Sequence, residues 1–278
     1  MRLYLKSRLA VGRICRANDD ARSRAMLEVL PPLEGETPPA TGEGVIYTSC
    51  NDKYLDLYVR DLLRSAALHS PAQHFHLHMY DPSPSSLAYV QDLSSRQRLT
   101  LTWEHSEKGR VDLAMSGGMY FVCARFIRMW QFLDASRSQI LAIDADAVVR
   151  NDLTQGFSRH QEADIALFFR HKRRNPLRKV LGAAVMLNPT PLALRFIRDC
   201  AAVFITYARE GGWEAIDQLI LYLVWRWHRR HVPALRAGQL TLPYSDWTYD
   251  DDSYVWHAKG MRKDASVPLE RVFSQAGE

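Results

Sequence analysis

The sequence predicts an α/β fold with a mostly parallel sheet flanked by helices, and three observations predict it. From Val45 onward, short apolar runs alternate with segments whose apolar residues recur at helical spacing. The chain has 278 residues, 47% of them hydrophobic and 24% charged, enough for a sizeable core and unlike a disordered segment. The run Ile140 to Ile143 ends at two aspartates, as a buried strand does when it carries polar groups to its carboxyl edge. Ligands bind there in open α/β sheets.

The elements follow in order. Residues 1–30 are Arg-rich, and one helix is expected around Ala17 to Leu30. Pro31 to Gly44 is dense in Pro and Gly, so it reads as a linker. Residues 1–43 are therefore expected to be an extension and linker, and residues 44–278 a single catalytic domain. Val45 to Ser49 reads as a strand and Asp52 to Leu68 as a helix with apolar residues at Tyr54, Leu55, Tyr58, Leu62, Leu63 and Ala66. Phe75 to Tyr80 is a strand, Ser85 to Leu93 a helix with Ser83 or Ser85 as its cap, and Leu99 to Trp103 a strand. Met119 to Leu133 is a helix and Gln139 to Ile143 the strand before the aspartates. Ile165 to Phe169 and Val185 to Leu187 are strands, Pro191 to Ala208 and Trp213 to Trp227 helices. Gln239 to Leu242 and Tyr254 to His257 close the series.

The formal charge of +5 favours anionic partners, but it is mild for this length, and a nucleic-acid partner is not expected. The four cysteines are widely spaced with no CxxC pair, which suits reduced thiols in a cytoplasmic protein. No apolar run reaches the ~18 residues of a membrane helix. The basic start MRLYLKSRLA lacks the apolar stretch of a signal peptide.

Chemistry concentrates in two segments. In QILAIDADAVVRNDL, Asp144 and Asp146 are bracketed by apolar residues, and two ionised carboxylates in a partly buried place are costly unless a cation or donors neutralise them. A hard divalent ion, Mn²⁺ or Mg²⁺, does so and brings substrate phosphates with it. An acidic turn with a capping aspartate is the plainer alternative. In YVWHAKGMRKD, His257 ends an apolar run, Gly260 allows close backbone approach, and Lys263 supplies positive charge, a set suited to a metal and a diphosphate. A basic loop with a packed histidine is the alternative there.

Taken in chain order, YTSCNDKY, CAR, AIDAD, an Asp-Gln pair and HAKGMRK resemble the retaining sugar-nucleotide glycosyltransferases of the GT-A fold, family eight, typified by glycogenin and the bacterial lipopolysaccharide galactosyl- and glucosyltransferases. The resemblance spans Gly44 to Asp264. It implies a GT-A-type, Rossmann-like domain that transfers a hexose from a nucleotide diphospho-sugar, UDP-linked in that family, with retention of configuration. It implies that Asp144, Asp146 and His257 hold Mn²⁺, that Gly260 and Lys263 contact the diphosphate, and that Ala145 lies between the two ligands in the nucleotide site. Ser49, Asn51 and Tyr54 fall where the family binds and stacks uracil. Arg125 falls on its arginine near the nucleotide and donor sugar, and Asp217 and Gln218 on its Asp-Gln pair beside the anomeric carbon. Three places depart from the pattern: Asn51 replaces a common Asp, Gly182–Ala183–Ala184 replaces Asn-Ser/Ala-Gly, and Asp264–Ala265 replaces Pro-Trp.

Other features complete the reading. Arg170 to Lys179 holds six Lys/Arg and no acid, and would attract a phosphorylated or acidic acceptor or an anionic membrane. LVWRWHRRH reads as a core helix with a charged end, with an amphipathic, basic end that rests at a lipid surface, at the inner face of a membrane, as the alternative. Ser245, Asp246 and Trp247, with Asp250, Asp251 and Asp252, would face an acceptor sugar or form an acidic turn. The acceptor class, whether glycan, lipid-linked or protein, is left open. Two other functions fit parts of the sequence: a haloacid dehalogenase-type phosphatase with Asp144 as nucleophile, and an inactive nucleotide-sugar or glycan-binding protein.

Overall fold

The computed structural model describes residues 2–28, 30–37, 40, 44–106, 117–211, 216–257 and 273, with only the backbone for 117–119. Two helices open the chain, α1 (Arg2–Ala17) and α2 (Asp20–Leu27), where the sequence predicted one. Asp19 caps α2 by accepting from the Arg22 amide. The linker contributes a short strand, β1 (Glu34–Gly35).

The expected alternation follows: β2 (Val45–Cys50), α3 (Asp52–Tyr54), a π-turn at Leu55–Val59, α4 (Arg60–His69), β3 (His74–Tyr80), α5 (Pro84–Ser94) and β4 (Leu99–Glu104). Ser83 is the cap of α5, with Pro84 at its first position. Next come α6 (Gly117–Ser136), β5 (Ile140–Ile143), β6 (Ala147–Val149), α7 (Thr154–Ser158), β7 (Ile165–Phe169) and β8 (Val180–Leu187). Then α8 (Pro191–Glu210), α9 (Asp217–His231), β9 (Ala237–Gln239) and β10 (Val255–His257) end the described fold.

Eight strands form one sheet in the order β1-β4-β3-β2-β5-β8-β7-β9. The ladders β4–β3–β2–β5 are parallel; beyond them β8 runs antiparallel to both β5 and β7. A separate two-stranded sheet pairs β10 with β6 antiparallel. The sequence reading missed β6 and α7, which are too short for a periodic signal, and placed the start of β8 five residues late, at Val185. The last predicted strand before the HAKG segment lies earlier, at β9, and Leu242 instead begins a 3₁₀ turn.

Apolar cores cover both faces of the sheet. One contains Val45, Tyr47, Ile140, Leu167 and Val185 with α6, α8 and α9; the other contains Ile46, Leu77, Leu141, Leu181 and Met186 with α4. The first core includes Val11 and Cys15 of α1, so the N-terminal helix packs with the main sheet's helices. A buried polar chain fixes it: Ser23 Oγ donates to Asn18 Oδ1 at 2.7 Å, Asn18 Nδ2 donates to Asp199 Oδ1 at 2.7 Å, and His228 Nε2 lies 2.7 Å from Asp199 Oδ2. All four cysteines are free and buried.

A second polar cluster seats α6 on β4. Glu104 is paired with Arg128, receives the Tyr120 hydroxyl at 2.6 Å and lies 3.4 Å from His78 Nε2; Arg128 also donates to the Pro31 carbonyl at 2.8 Å. Burial alone would raise the Glu104 carboxyl, but His78, Arg128 and Tyr120 outweigh it and hold it at about 2. A depressed folded-state value stabilises the fold above the ordinary range, and the contribution is lost as pH falls toward the folded value. Relative to 4.5, this amounts to roughly 3 kcal/mol at neutral pH. The urea midpoint should therefore drop between about pH 5 and about pH 2, and less steeply in Glu104→Gln, which should already be weaker at neutral pH. A parallel pH dependence in the variant would contradict this assignment.

Candidate active site

β5 carries Ile140 to Ile143 between β2 and β8 and then stops. Asp144 to Ala147 make a turn closed by the Ala147 amide on the Asp144 carbonyl at 3.2 Å. The chain continues at once into β6, whose partner strand brings His257 opposite Ala147. That register position directly follows Asp146 in the chain. The antiparallel ladder thus carries an imidazole, 111 positions away in sequence from Asp146, to the acidic turn. Ligand atoms of Asp144, Asp146 and His257 all lie within 4.8 Å of one another. His257 is buried and both aspartates are half-buried. Its backbone is held by the Asp246 carbonyl, which accepts from the His257 amide at 2.8 Å.

Arg125 joins this cluster to a third carboxylate. It projects from α6, donates through Nη1 to Asp144 Oδ1 at 2.8 Å and through Nη2 to Asp217 Oδ2 at 2.7 Å and the Gly182 carbonyl at 3.0 Å. Its side chain is 11% exposed, so it is no surface charge. Burial would lower its pKa, yet Asp144 and Asp217 raise it. Burial raises the Asp217 carboxyl against the pull of Arg125. Gly182 is the residue that leaves room for the pair: a Cβ there would collide with the Asp217 carboxylate and come within 2.8 Å of Arg125 Nη2. The departure from the Asn of the resemblance has a physical counterpart in this crowding.

Gln218, beside Asp217 at the start of α9, accepts from Arg170 Nη2 at 2.9 Å. Arg170 begins the basic loop, which is closed by the Arg170 amide on the Lys179 carbonyl at 2.7 Å. Arg173 and Arg174 in that loop are exposed. The loop joins the end of β7 to the start of β8, the strand that carries Gly182. It therefore flanks the Arg125 cluster, a contact that no sequence periodicity signals.

Ser49, Asn51 and Tyr54 lie at the carboxyl end of β2. Parallel pairing with β5, and the Thr48 hydroxyl donating to the Ile143 carbonyl at 2.9 Å, put that end beside Asp144. Asn51 is the cap of α3 and accepts from the Tyr54 amide at 3.1 Å. The Tyr54 ring is 38% exposed and sits 5.5 Å from the Tyr58 ring, so it does not face the core. Ala145 packs against the apolar core beside the turn. Gly260 and Lys263 lie outside the described residues. Asp246 holds its own loop together. It is fully buried and accepts from the Thr248 amide and hydroxyl, the Asp250 amide and the Ser253 hydroxyl, at 2.6–2.7 Å. These bonds order the acidic loop before β10, and they replace the sugar-facing alternative for Asp246.

No protein-family model matches the sequence, and no curated protein matches it. Solved structures do match the fold. The glycosyltransferase GlyE of Streptococcus pneumoniae TIGR4 superposes with a TM-score of 0.57 at 12% identity, covering 86% of this chain and 61% of that one. The galactosyltransferase LgtC, solved with donor and acceptor sugar analogues, gives 0.53 at 13% identity over 84% of this chain and 95% of that one. The bifunctional glycosyltransferase WbbM gives 0.54 at 11% identity, covering 86% of this chain and 53% of that one. The chain spans 61% of the length of GlyE. The architecture is that of the GT-A glycosyltransferases.

Removing the guanidinium should leave two partly buried carboxylates without their cation. Arg125→Met is expected to cost about 3 kcal/mol in urea unfolding, and Arg125→Met combined with Asp217→Asn about half of that, because one orphaned charge is gone. A loss below about 0.5 kcal/mol for the single variant, the range of an ordinary surface change, would show that the pairs do not form.

Proposed function

We propose that this chain is a metal-dependent glycosyltransferase that moves a hexose from a UDP-linked donor to an acceptor with retention of configuration. The observation that carries the proposal is the convergence of Asp144, Asp146 and His257 at one edge of a glycosyltransferase-type sheet. Two carboxylates and an imidazole fit a hard or borderline divalent ion. Asp144, Asp146 and His257 would hold Mn²⁺ or Mg²⁺, whose chemistry at that place is to neutralise a diphosphate and the charge that grows on it as the glycosidic bond breaks.

The remaining roles belong to the chain's own side chains. Tyr54, exposed just beyond the end of β2, offers a face on which a uracil ring can stack; Asn51 caps its helix, and Ser49 offers a hydroxyl from the end of the strand. Ala145 sits in the turn between the two carboxylates. In our reading Gly260 and Lys263 add close backbone approach and a positive charge at the phosphates. Arg125 fixes the orientation of Asp144 and of Asp217. Asp217 then binds the donor sugar and steadies an oxocarbenium-like carbon during same-face attack, and Gln218, oriented by Arg170, lies beside it. The phosphatase alternative leaves His257 without a role, whereas the transferase uses it.

The basic loop supports an acceptor that carries phosphate or carboxylate groups, since its exposed cations border the Arg170–Gln218 contact. The four free, buried thiols support a cytoplasmic setting.

A thermal-shift screen of nucleotide diphospho-sugars with and without Mn²⁺ tests the donor, because a ligand that binds the folded state raises the melting temperature. A UDP-hexose is expected to raise it only with the ion present. In turnover, Asp146→Ala and His257→Ala should each lower kcat/KM by about a hundredfold or more; full activity in Asp146→Ala would remove the metal assignment. For the acceptor, Arg173→Glu/Arg174→Glu should raise the acceptor KM about tenfold while donor hydrolysis stays unchanged. An unaltered acceptor KM would exclude the loop from acceptor binding.

A further inference from the structure

The N-terminal helix is two-sided. Ser7, Ala10, Val11 and Cys15 of α1 are buried, and the helix packs on α8 and α9. The opposite side carries Leu5 and Leu9, four residues apart on one helical stripe, 52% and 63% exposed. An exposed leucine alone is ordinary. Here, however, five Lys/Arg and no Asp or Glu occur in the sixteen residues of α1, and exposed Lys6 and Arg13 flank the leucine stripe on one side and Arg8 on the other.

The last turns of α9 extend this surface. Arg229, Arg230 and His231 are exposed there, and the Arg229 guanidinium lies over the Trp225 ring at 4.8 Å. Between α1 and the end of α9 runs a groove of about 1230 Å³ with Leu5, Leu9 and Trp227 among its apolar lining. Seven Lys/Arg line it, and no acidic residue does so among the described residues. Leucines framed by cations on an amphipathic helix, with no counter-charge, match the chemistry of an anionic bilayer: phosphate headgroups for the arginines and an acyl boundary for the leucines. A bilayer accepts this mixture without the matched acidic pockets that a protein partner would need.

We propose that the face formed by α1 and the C-terminal end of α9 is a peripheral docking surface for an anionic lipid bilayer. The chain lies on the membrane through this face: among the described residues no helix is long and apolar enough to cross one. Asp217 begins α9 and Arg229 stands twelve residues on, so the docked face is about 18 Å from Asp217 along the helix axis. The docking surface and the carboxylate cluster are therefore separable by mutation, and loss of either leaves the other intact.

Sedimentation of the full chain with vesicles tests it. The chain is expected to partition onto phosphatidylcholine vesicles containing roughly a third phosphatidylglycerol at least about tenfold more strongly than onto phosphatidylcholine alone, and to be released by salt. Leu5→Gln/Leu9→Gln should lose about tenfold by removing the inserted side chains, and Arg13→Glu/Arg16→Glu at least as much. All four positions are exposed, so the melting temperature should be unchanged. Arg60→Glu/Arg96→Glu makes the same change in net charge elsewhere and should bind like the native chain. The proposal is overturned if the native chain ignores anionic vesicles or binds neutral ones equally. It is also overturned if the leucine variant still binds, if the control variant loses as much, or if the α1 variants alter only self-association.

Discussion

Arg125 has to serve two carboxylates at once, and much of the surrounding structure follows from that requirement. Asp144 stands at the end of β5 and Asp217 at the start of α9, and without a shared cation their partly buried negative charges would oppose each other across a narrow space. The guanidinium fork suits this duty because its donors point in fixed directions. Glu104 and Arg128 hold the helix that carries it, since Arg128 lies three residues further along α6 and is anchored to β4 and to the Pro31 carbonyl. An interior ion pair one helical turn along α6 thus helps to set the position of the residue between Asp144 and Asp217.

The same requirement gives meaning to Gly182. A side chain at that point of β8 would occupy the space that Arg125 and Asp217 fill. The glycine is matched to the ion pair beside it, and a larger residue there would demand a different arrangement of both.

Much of the fold was legible because its signals are local. Ile140 to Ile143 followed by Asp144-Ala145-Asp146 announces a strand and what it delivers, and His257 closes an apolar run in the same way. What escaped depends on partners distant in sequence. The β6 strand is three residues long and exists because β10 pairs with it. In α1 the buried side is made of small residues such as Ser7, Ala10 and Cys15, so arginines dominate its composition and hide its periodicity. The reversal of β8 has no signature in an apolar run, since Val180 to Leu187 is buried on both faces whichever way it runs. Asp246 and the Arg170–Gln218 contact show the converse limit. An aspartate near a site motif can serve its own loop, and a side chain assigned to substrate can also have a protein partner.

The β6–β10 ladder brings His257 to Asp144 and Asp146, and the cation site we propose there depends on that pairing. Manganese binding followed by electron paramagnetic resonance tests it most directly, because the signal of the free aqueous ion disappears on binding and no turnover is needed. Saturable binding to the native chain is expected in the presence of UDP, weakened about tenfold or more in His257→Gln and in Asp146→Asn alike. Manganese affinity in His257→Gln equal to that of the native chain would contradict it.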